Sequence, residues 1–135
     1  MCVYDHVLCM TMKPDTFRIF TCCLGESCRF YTEKMGWHIS AGFAEDGYVI
    51  FQPGGIQIVL EEVDEKTARL ERLCPRYSGL SLRCHSIEAE YKMMLARGVT
   101  FTDKPAKMPW GGWLAHFKDD QGNIISLVEY EESGL

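Results

Sequence analysis

The order of strands, helices and turns in this chain repeats. Each half reads as a strand, a helix and then three strands. The first helix is predicted from Glu26 to Met35, closed by Gly36; the second runs from Ile87 to Arg97, capped by Ser86 and closed by Gly98. The repeat rests on order and spacing, because residue identity between the halves is low. Each half is too small to bury a sheet face by itself, so the two are expected to combine.

Alternating apolar residues and turn signals predict the strands. They are Thr16 to Cys22, Trp37 to Phe43, Tyr48 to Gln52, Ile56 to Glu61, Leu80 to Cys84, Val99 to Phe101, Trp113 to Phe117 and Ile124 to Tyr130. The charged segment between the halves, broken by Pro75, is interpreted as a linker whose short helix is anchored by Leu70 and Leu73. We therefore expect an extension (1–13), a βαβββ module (14–63), a linker (64–78) and a second βαβββ module with a tail (79–135). This predicts an α+β fold with a curved mixed sheet and helices on its outer face.

The stretch from Pro109 to Tyr130 contains the clearest hairpin. Its two apolar runs are joined by a cluster of turn residues, Asp119 to Asn123. Just upstream, Trp110 and Trp113 flank two glycines, an unusual entry for a plain surface loop. We interpret this stretch as one wall of a small-molecule pocket.

Composition excludes several classes of protein. The 135 residues carry a net charge of −5 with no basic stripe, which argues against nucleic acid as a partner. No apolar run is long enough to span a membrane, and no export signal is recognised. We therefore expect a cytoplasmic protein that binds neither membranes nor nucleic acid.

Seven cysteines are present, none with the CxxC spacing of zinc or redox sites. Cys2, His6 and Cys9 form a loose group near the start, and Cys22, Cys23 and Cys28 cluster later. We interpret them as reduced thiols that act as small apolar residues, with metal or redox chemistry as the alternative.

Three local motifs resemble those of the vicinal oxygen chelate superfamily, which includes glyoxalase I, extradiol dioxygenases and bleomycin-resistance proteins. Phe30 to Gly36 resembles its F-Y-x-x-x-L-G helix end. Phe117 to Asn123 resembles its F-x-D-P-x-G-N turn, with Asp120 where proline is usual. Met108 to Gly111 resembles the P-W-G segment of the bleomycin-resistance branch. The resemblance implies the paired-module fold and a homodimer, and it leaves the activity open because this fold hosts many functions.

The superfamily's enzymes hold a divalent metal with one His or Glu from each of four strands. By resemblance, the matching positions here are Thr16, Val59 (or Gln57 if the register differs), Gly79 and Ser126. None is a competent ligand for such a site. We therefore expect no metal and no cofactor.

Several side chains remain as candidates for contact with a ligand. His116 could act as a general base or hydrogen-bond a ligand, or it could be a half-buried histidine. Arg18 could pair with a ligand carboxylate, or with a glutamate of the chain. Glu129 is assigned to the surface or a dimer interface, and Asp119 and Asp120 to the turn.

These observations favour a small-molecule-binding protein over an enzyme. The resemblance implies a sequestering protein of the bleomycin-resistance type, related to antibiotic resistance, for a planar aromatic or cationic ligand. The cleft would be lined by Trp110, Trp113, Arg18, Thr16, Phe51, Val59 and Ser126. One alternative is a glyoxalase-like lyase or isomerase with a displaced metal site, or an enzyme that uses His116. Another is a structural or regulatory subunit.

Overall fold

The structure is a computed structural model that describes residues 11–131. The strands are β1 (Thr16–Thr21), β2 (Ile39–Ala41), β3 (Tyr48–Gly54), β4 (Ile56–Glu62), β5 (Tyr77–Arg83), β6 (Thr100–Phe101), β7 (Ala106–Lys107), β8 (Trp113–Lys118) and β9 (Ile124–Glu129). The helices are α1 (Leu24–Arg29), α2 (Glu65–Leu70) and α3 (Ile87–Ala96). No helix in this range is long and apolar enough to cross a membrane. Most of the expected extension, including Cys2, His6 and Cys9, lies outside the described residues.

The strands form two mixed sheets. The first has the order β1-β4-β3-β2 and the second β5-β9-β8-β6, with β7 added on β8. In each sheet the first strand of its half runs parallel to the last, and the remaining pairs are antiparallel. The α+β fold with two β-α-β-β-β units is therefore confirmed, and β7 is an additional short strand.

One face of each sheet packs into the core, and side chains alternate between this face and the opposite one. The opposite faces are partly exposed, although Phe20, Ser126 and Val128 on them are buried. We call the helix-covered faces inner and the opposite faces outer; the helix-covered side is the one that the sequence analysis called the outer face. Helices α1 and α3 cover the inner faces, and both sheets contribute to one shared core. It includes Leu60, Phe51 and Tyr31 of the first half and Phe117 and Leu127 of the second, each less than 5% exposed. The outer faces carry the residues that can meet a ligand.

Helix α1 continues for five residues, Phe30–Lys34, as a π-helix. The amide of Met35 donates to the carbonyl of Phe30, and the amide of Trp37 donates to that of Tyr31. This wider turn stacks Tyr31 on Trp37, with ring centroids 5.3 Å apart. The sequence had predicted that the following strand begins at Trp37. Because Trp37 closes the helix, the strand instead begins at Ile39.

The strand β2 also ends earlier than Phe43. Gly42 has φ +84°, and a Cβ at this position would lie 2.6 Å from the carbonyl oxygen of Tyr48. Only glycine fits this close approach, so the chain leaves the sheet here. Phe43 is 67% exposed.

The turn between β8 and β9 joins the two halves. Asp119 is buried; one carboxylate oxygen accepts the Tyr31 hydroxyl at 2.7 Å, and the other accepts the Asn123 amide at 2.9 Å. The Asn123 side chain donates to the carbonyl of Phe20, and Ser27 donates to Asp120. The two aspartates therefore do more than form a turn, because they fasten helix α1 and strand β1 to the second half.

These contacts shift two pKa values. Burial raises the pKa of Tyr31 well above its usual value, and the nearby Asp119 carboxylate raises it further. Burial also raises the pKa of Asp120, against the Ser27 hydrogen bond that lowers it. The Tyr31 shift reflects a hydroxyl that folding has removed from water, whereas Asp120 remains partly exposed.

Each half has one glutamate that accepts a hydrogen bond from the first amide of its helix. The first amide of α1, at Leu24, donates to the carboxylate of Glu62 at 3.0 Å, and the first amide of α3, at Ile87, donates to that of Glu129 at 2.7 Å. Each glutamate ends the last strand of its own half. Glu129 was assigned to the surface or a dimer interface; it instead faces inward and caps a helix.

The two helices also meet at their C-terminal ends. Lys34 donates its ammonium group to the carbonyl of Arg97, and the Arg97 guanidinium donates to the carbonyl of Lys34. Each cation therefore satisfies a free carbonyl at the end of the other helix.

The linker packs as a small second cluster. Asp64 caps α2 by accepting the amide of Thr67 at 2.8 Å. Ala68 and Cys74 pack with Phe20, and Leu73 is partly buried against them. Leu70 does not anchor the helix as predicted, because its position on α2 leaves it 73% exposed.

Candidate functional site

A polar cluster lies on the outer face of the second sheet. His116 and Ser126 are directly opposed on β8 and β9, and the His116 Nδ1 atom lies 2.7 Å from the Ser126 hydroxyl oxygen. The Tyr77 hydroxyl lies 3.4 Å from the same oxygen, and the Tyr77 ring is 5.7 Å from the imidazole. Ser126 is buried and Tyr77 is 63% exposed. The cluster can therefore present a tyrosine ring and an imidazole to a ligand.

An aromatic platform lies at the other end of this face. The rings of Trp110 and Tyr130 have centroids 5.6 Å apart, and the Arg83 guanidinium lies over the Tyr130 ring at 4.7 Å. Trp110 is 48% exposed and Tyr130 is 40% exposed. Exposed rings held by neighbours are suited to stacking on a flat molecule. We call these three residues the Trp110 platform.

The glycines before β8 explain the position of Trp110. A Cβ at Gly112 would collide with the Trp110 ring, and a Cβ at Gly111, where φ is +99°, would collide with the Glu131 carboxylate. The indole therefore lies back against a bare backbone, which no other residue would allow.

Between the polar cluster and the platform, Leu114 and Val128 form a directly opposed apolar pair. Ser81 pairs with Ser126, and Arg83 pairs with Val128, so β5 extends the same face. This surface combines aromatic ends, an apolar centre and a few polar groups, which is the composition of a small-molecule site.

The outer face of the first sheet carries Thr16, Arg18 and Val59. Arg18 pairs with Val59 across β1 and β4. Its guanidinium donates to both carboxylate oxygens of Glu61 at 2.9 and 3.0 Å, so the alternative of an internal ion pair applies here. At least half of the Arg18 side chain remains exposed, and the pair is screened by water.

The two outer faces meet at Phe20. Arg18 from the first half and Arg76, just before β5, both lie over its ring, at 5.0 and 5.5 Å. The aromatic ring therefore joins two cations that would otherwise repel each other. Residues on the two faces thus lie along one continuous side of the molecule.

Two of the predicted cleft residues do not lie on this side. Phe51 is fully buried among Tyr31 and Trp37, because its neighbour Ile50 is the residue that faces outward with Val59. Trp113 is paired with the inward-facing Glu129 and packs at the edge of the core. Both side chains therefore lie one step of strand alternation away from the outer face.

The four positions that the resemblance matched to metal ligands are Thr16, Val59 (or Gln57), Gly79 and Ser126. Gly79 has φ +80° and lies where the pairing of β5 with β9 shifts register, so this position offers no side chain. Two hydroxyls and an isopropyl group do not fit a divalent metal of the kind that the superfamily's enzymes hold. Within residues 11–131, no group of three or more His, Cys, Asp or Glu side chains is arranged to hold a metal ion.

The family follows from a comparison of the sequence with known families. Residues 5–127 match the model of the Glyoxalase/Bleomycin resistance protein/Dioxygenase superfamily. The chain belongs to this superfamily. A relative from Bacillus subtilis (strain 168), the uncharacterized protein YetH, is 30% identical over 104 residues, which cover 75% of this chain and 84% of YetH.

Solved structures of the superfamily have the same fold. A member from Sphaerobacter thermophilus DSM 20745 is 28% identical with a TM-score of 0.74, over 89% of this chain and 98% of that one. TnmS3, an antibiotic binding protein from Streptomyces sp. CB03234, is 26% identical with a TM-score of 0.70, over 89% and 97%. Lactoylglutathione lyase from Agrobacterium tumefaciens is 12% identical with a TM-score of 0.68, over 87% and 92%, a likeness of fold alone.

Sequence reasoning missed Tyr77 and Tyr130. Tyr77 follows a proline within the charged linker, and β5 was predicted to start at Leu80. The register shift at Gly79 brings Tyr77 opposite Ile124 on the outer face. Tyr130 was treated only as the end of a strand, although its alternation with Val128 would have placed it beside the outward face.

Proposed function

We propose that this superfamily protein binds a planar aromatic small molecule on the outer face of the second sheet and releases it unchanged. The supporting observation is the exposed Trp110 platform, which lies on the same face as Ser126, His116 and Tyr77. Binding without turnover is also consistent with metal positions that hold no imidazole or carboxylate ligand.

Stacking and apolar burial would supply most of the affinity. A flat ring system could lie on Trp110 and extend across the half-buried Leu114 towards Tyr77. Aromatic contacts add about 1 kcal/mol each beyond the burial of area. The hydroxyl of Tyr77 and the imidazole of His116 would then select ligands with a polar edge. The likeness to TnmS3, an antibiotic binding protein, supports an antibiotic-like ligand and a sequestering role.

A further part of this proposal concerns the charge of the ligand. A cationic ligand would gain from the ring faces of Trp110 and Tyr130. The net charge of −5 would attract it, whereas Arg83 at the platform would oppose it. A charged and a neutral probe are therefore needed.

The test uses ethidium, a planar aromatic cation, and phenanthridine, a neutral compound with the same ring system. Titration followed by tryptophan fluorescence and calorimetry should show binding of at least one probe, and Trp110→Ala should weaken it about tenfold. Phe43→Ala is the matched control, because Phe43 is an exposed aromatic residue that follows β2, away from the second sheet. Equal affinity in Trp110→Ala and in the unaltered protein would rule out this site.

The second candidate is an enzyme that acts through His116. Its favouring observation is the contact of Nδ1 with Ser126, which orients the ring on an exposed face. In the titration, recovery of each probe unchanged by mass spectrometry supports binding alone, whereas a product that disappears in His116→Ala would favour the enzyme.

We further propose that the protein is a cytoplasmic homodimer with reduced thiols. The five cysteines among the described residues are free. The open outer faces of the two sheets offer surface for a second copy. The protein used for titration should therefore elute with a light-scattering mass of twice 15.4 kDa; a mass of 15.4 kDa would refute the dimer.

A further inference from the structure

The two halves of the molecule meet at two equivalent junctions. At the first, helix α1 and the end of β1 face the β8–β9 turn of the other half. At the second, helix α3 and the end of β5 face the β3–β4 turn. Ser27 and Tyr31 lie three and seven residues after the capped start of α1, and Glu90 and Met94 lie at the same steps after the capped start of α3.

The first junction is filled. Ser27 and Tyr31 are fully buried, and their hydroxyls bond to Asp120 and Asp119 of the facing turn. Thr21, at the end of β1, adds a contact of 2.6 Å between its hydroxyl and that of Ser27.

The second junction is open. The facing turn contains Pro53 and Gly54 in place of the aspartates, so it supplies no long side chain. A cavity of about 670 Å³ remains between this turn, the end of β5 and helix α3. This volume is within the range of small-molecule sites. Its apolar lining comes from Met35, Trp37, Leu82, Met94 and Leu127.

The charged groups of this cavity are mainly positive. Lys34, Arg83 and Arg97 line it, with Glu90 as the one carboxylate among its lining residues. The chain as a whole is acidic, so this local excess is not a reflection of composition. The reciprocal contacts between Lys34 and Arg97 hold two of the cations at the same edge.

We propose that the second junction is a separate binding site for a small organic anion with an apolar body. The apolar part would contact Met35, Trp37 and Met94, and the anionic group would lie near Lys34 and Arg97. Met35, Trp37 and Met94 place this site on the helix side of β5, whereas Trp110 and Tyr130 lie on the outer face; the two sites share only Arg83. Arg83, at the end of β5, borders both.

The first experiment measures the binding of 1-anilinonaphthalene-8-sulfonate, an aromatic anion, by fluorescence. Ala89 lines the cavity from helix α3, and Ala89→Trp should weaken binding at least tenfold by filling it. Ala96→Trp is the matched control, since Ala96 is exposed on the same helix outside the cavity. Unchanged affinity in a folded Ala89→Trp protein would overturn the proposal.

The second experiment tests the charge. Arg97→Gln should weaken binding of the sulfonate about tenfold, because a charge-assisted contact is lost. Arg97→Gln should change the affinity for N-phenyl-1-naphthylamine, which lacks the sulfonate, by less than twofold. Arg97→Lys should restore most of the affinity for the sulfonate. Equal losses for both probes would refute a site for anions.

The third experiment locates the probe. The measurement is NMR of protein labelled with carbon-13 at its methionine methyl groups. The sulfonate should shift the methyl signals of Met35 and Met94 and leave that of the exposed Met12 unchanged. Shifts confined to other methionines would place the probe elsewhere and overturn the proposal. Trp110→Ala should leave these shifts intact, so failure of this site and failure of the Trp110 platform can be distinguished.

Discussion

At the scale of single residues, Asp119 links the two halves through one buried carboxylate. Its carboxylate accepts hydrogen bonds from the Tyr31 hydroxyl, the amides of Gln121 and Asn123, and the Asn123 side chain. A buried carboxylate is stable only when such donors surround it. The turn from Asp119 to Asn123 therefore also holds the two halves of the chain together.

Loss of Asp119 should be costly. Asp119→Ala leaves the Tyr31 hydroxyl buried without its acceptor, and we expect it to reduce the free energy of unfolding by about 2–4 kcal/mol. Tyr31→Phe removes only the donor and should cost about 1 kcal/mol. Urea unfolding of both variants and of the double variant would give the coupling energy. Strictly additive losses would contradict a direct interaction between the two side chains.

At the scale of elements, the two main helices begin in the same way. Each is too short to be stable by itself in water, and each starts against a glutamate from the final strand of its half. The cap therefore couples the position of the helix to the sheet that it covers.

Glu129→Ala should reduce the free energy of unfolding by about 1 kcal/mol, because the amide of Ile87 loses its acceptor. Glu129→Gln keeps an acceptor oxygen and should recover most of the loss. Faster hydrogen exchange at Ile87 in the alanine variant would locate the effect. Glu71→Ala, in the exposed linker, is the control; an equal loss there would refute the capping role.

Sequence signals predicted the elements well where the chemistry is local. Gly36 and Gly98 end the helices, and the Asp119–Asn123 cluster forms its turn, because each depends on a few adjacent residues. The errors depend on long-range register. The face of the sheet on which Phe51 and Trp113 lie depends on how their strands pair with distant strands. Tyr77 reaches the outer face through a register shift. The cavity at the second junction forms between two halves and has no signature in either.

At the scale of the whole molecule, burial of thiols makes stability depend on alkaline pH. Burial raises the pKa of Cys74 and that of Cys84 to about 11, from an ordinary value of 9.0. Nearby acidic groups raise both pKa values further. Between the ordinary thiol pKa of 9.0 and the folded value of about 11, the unfolded chain has released protons that the folded protein retains. The free energy of unfolding therefore falls as pH rises.

We therefore expect stability to decline from about pH 9 to pH 11. In the double variant Cys74→Ala/Cys84→Ala this decline should be shallower, although the variant is less stable throughout because one buried and one half-buried side chain are truncated. Urea unfolding at several pH values would measure both slopes. Identical slopes in the two proteins would show that other groups cause the decline.

The contacts between the halves have a further consequence for how the chain is connected. The hydrogen bonds of Asp119 with Tyr31, of Asn123 with Phe20, and of Lys34 with Arg97 all bypass the linker. A chain cut at the exposed Arg72 would keep every one of them, and its two pieces would associate as separate molecules. We expect that the same contacts can form between halves of different chains, and that at high concentration this exchange would compete with closure within one chain.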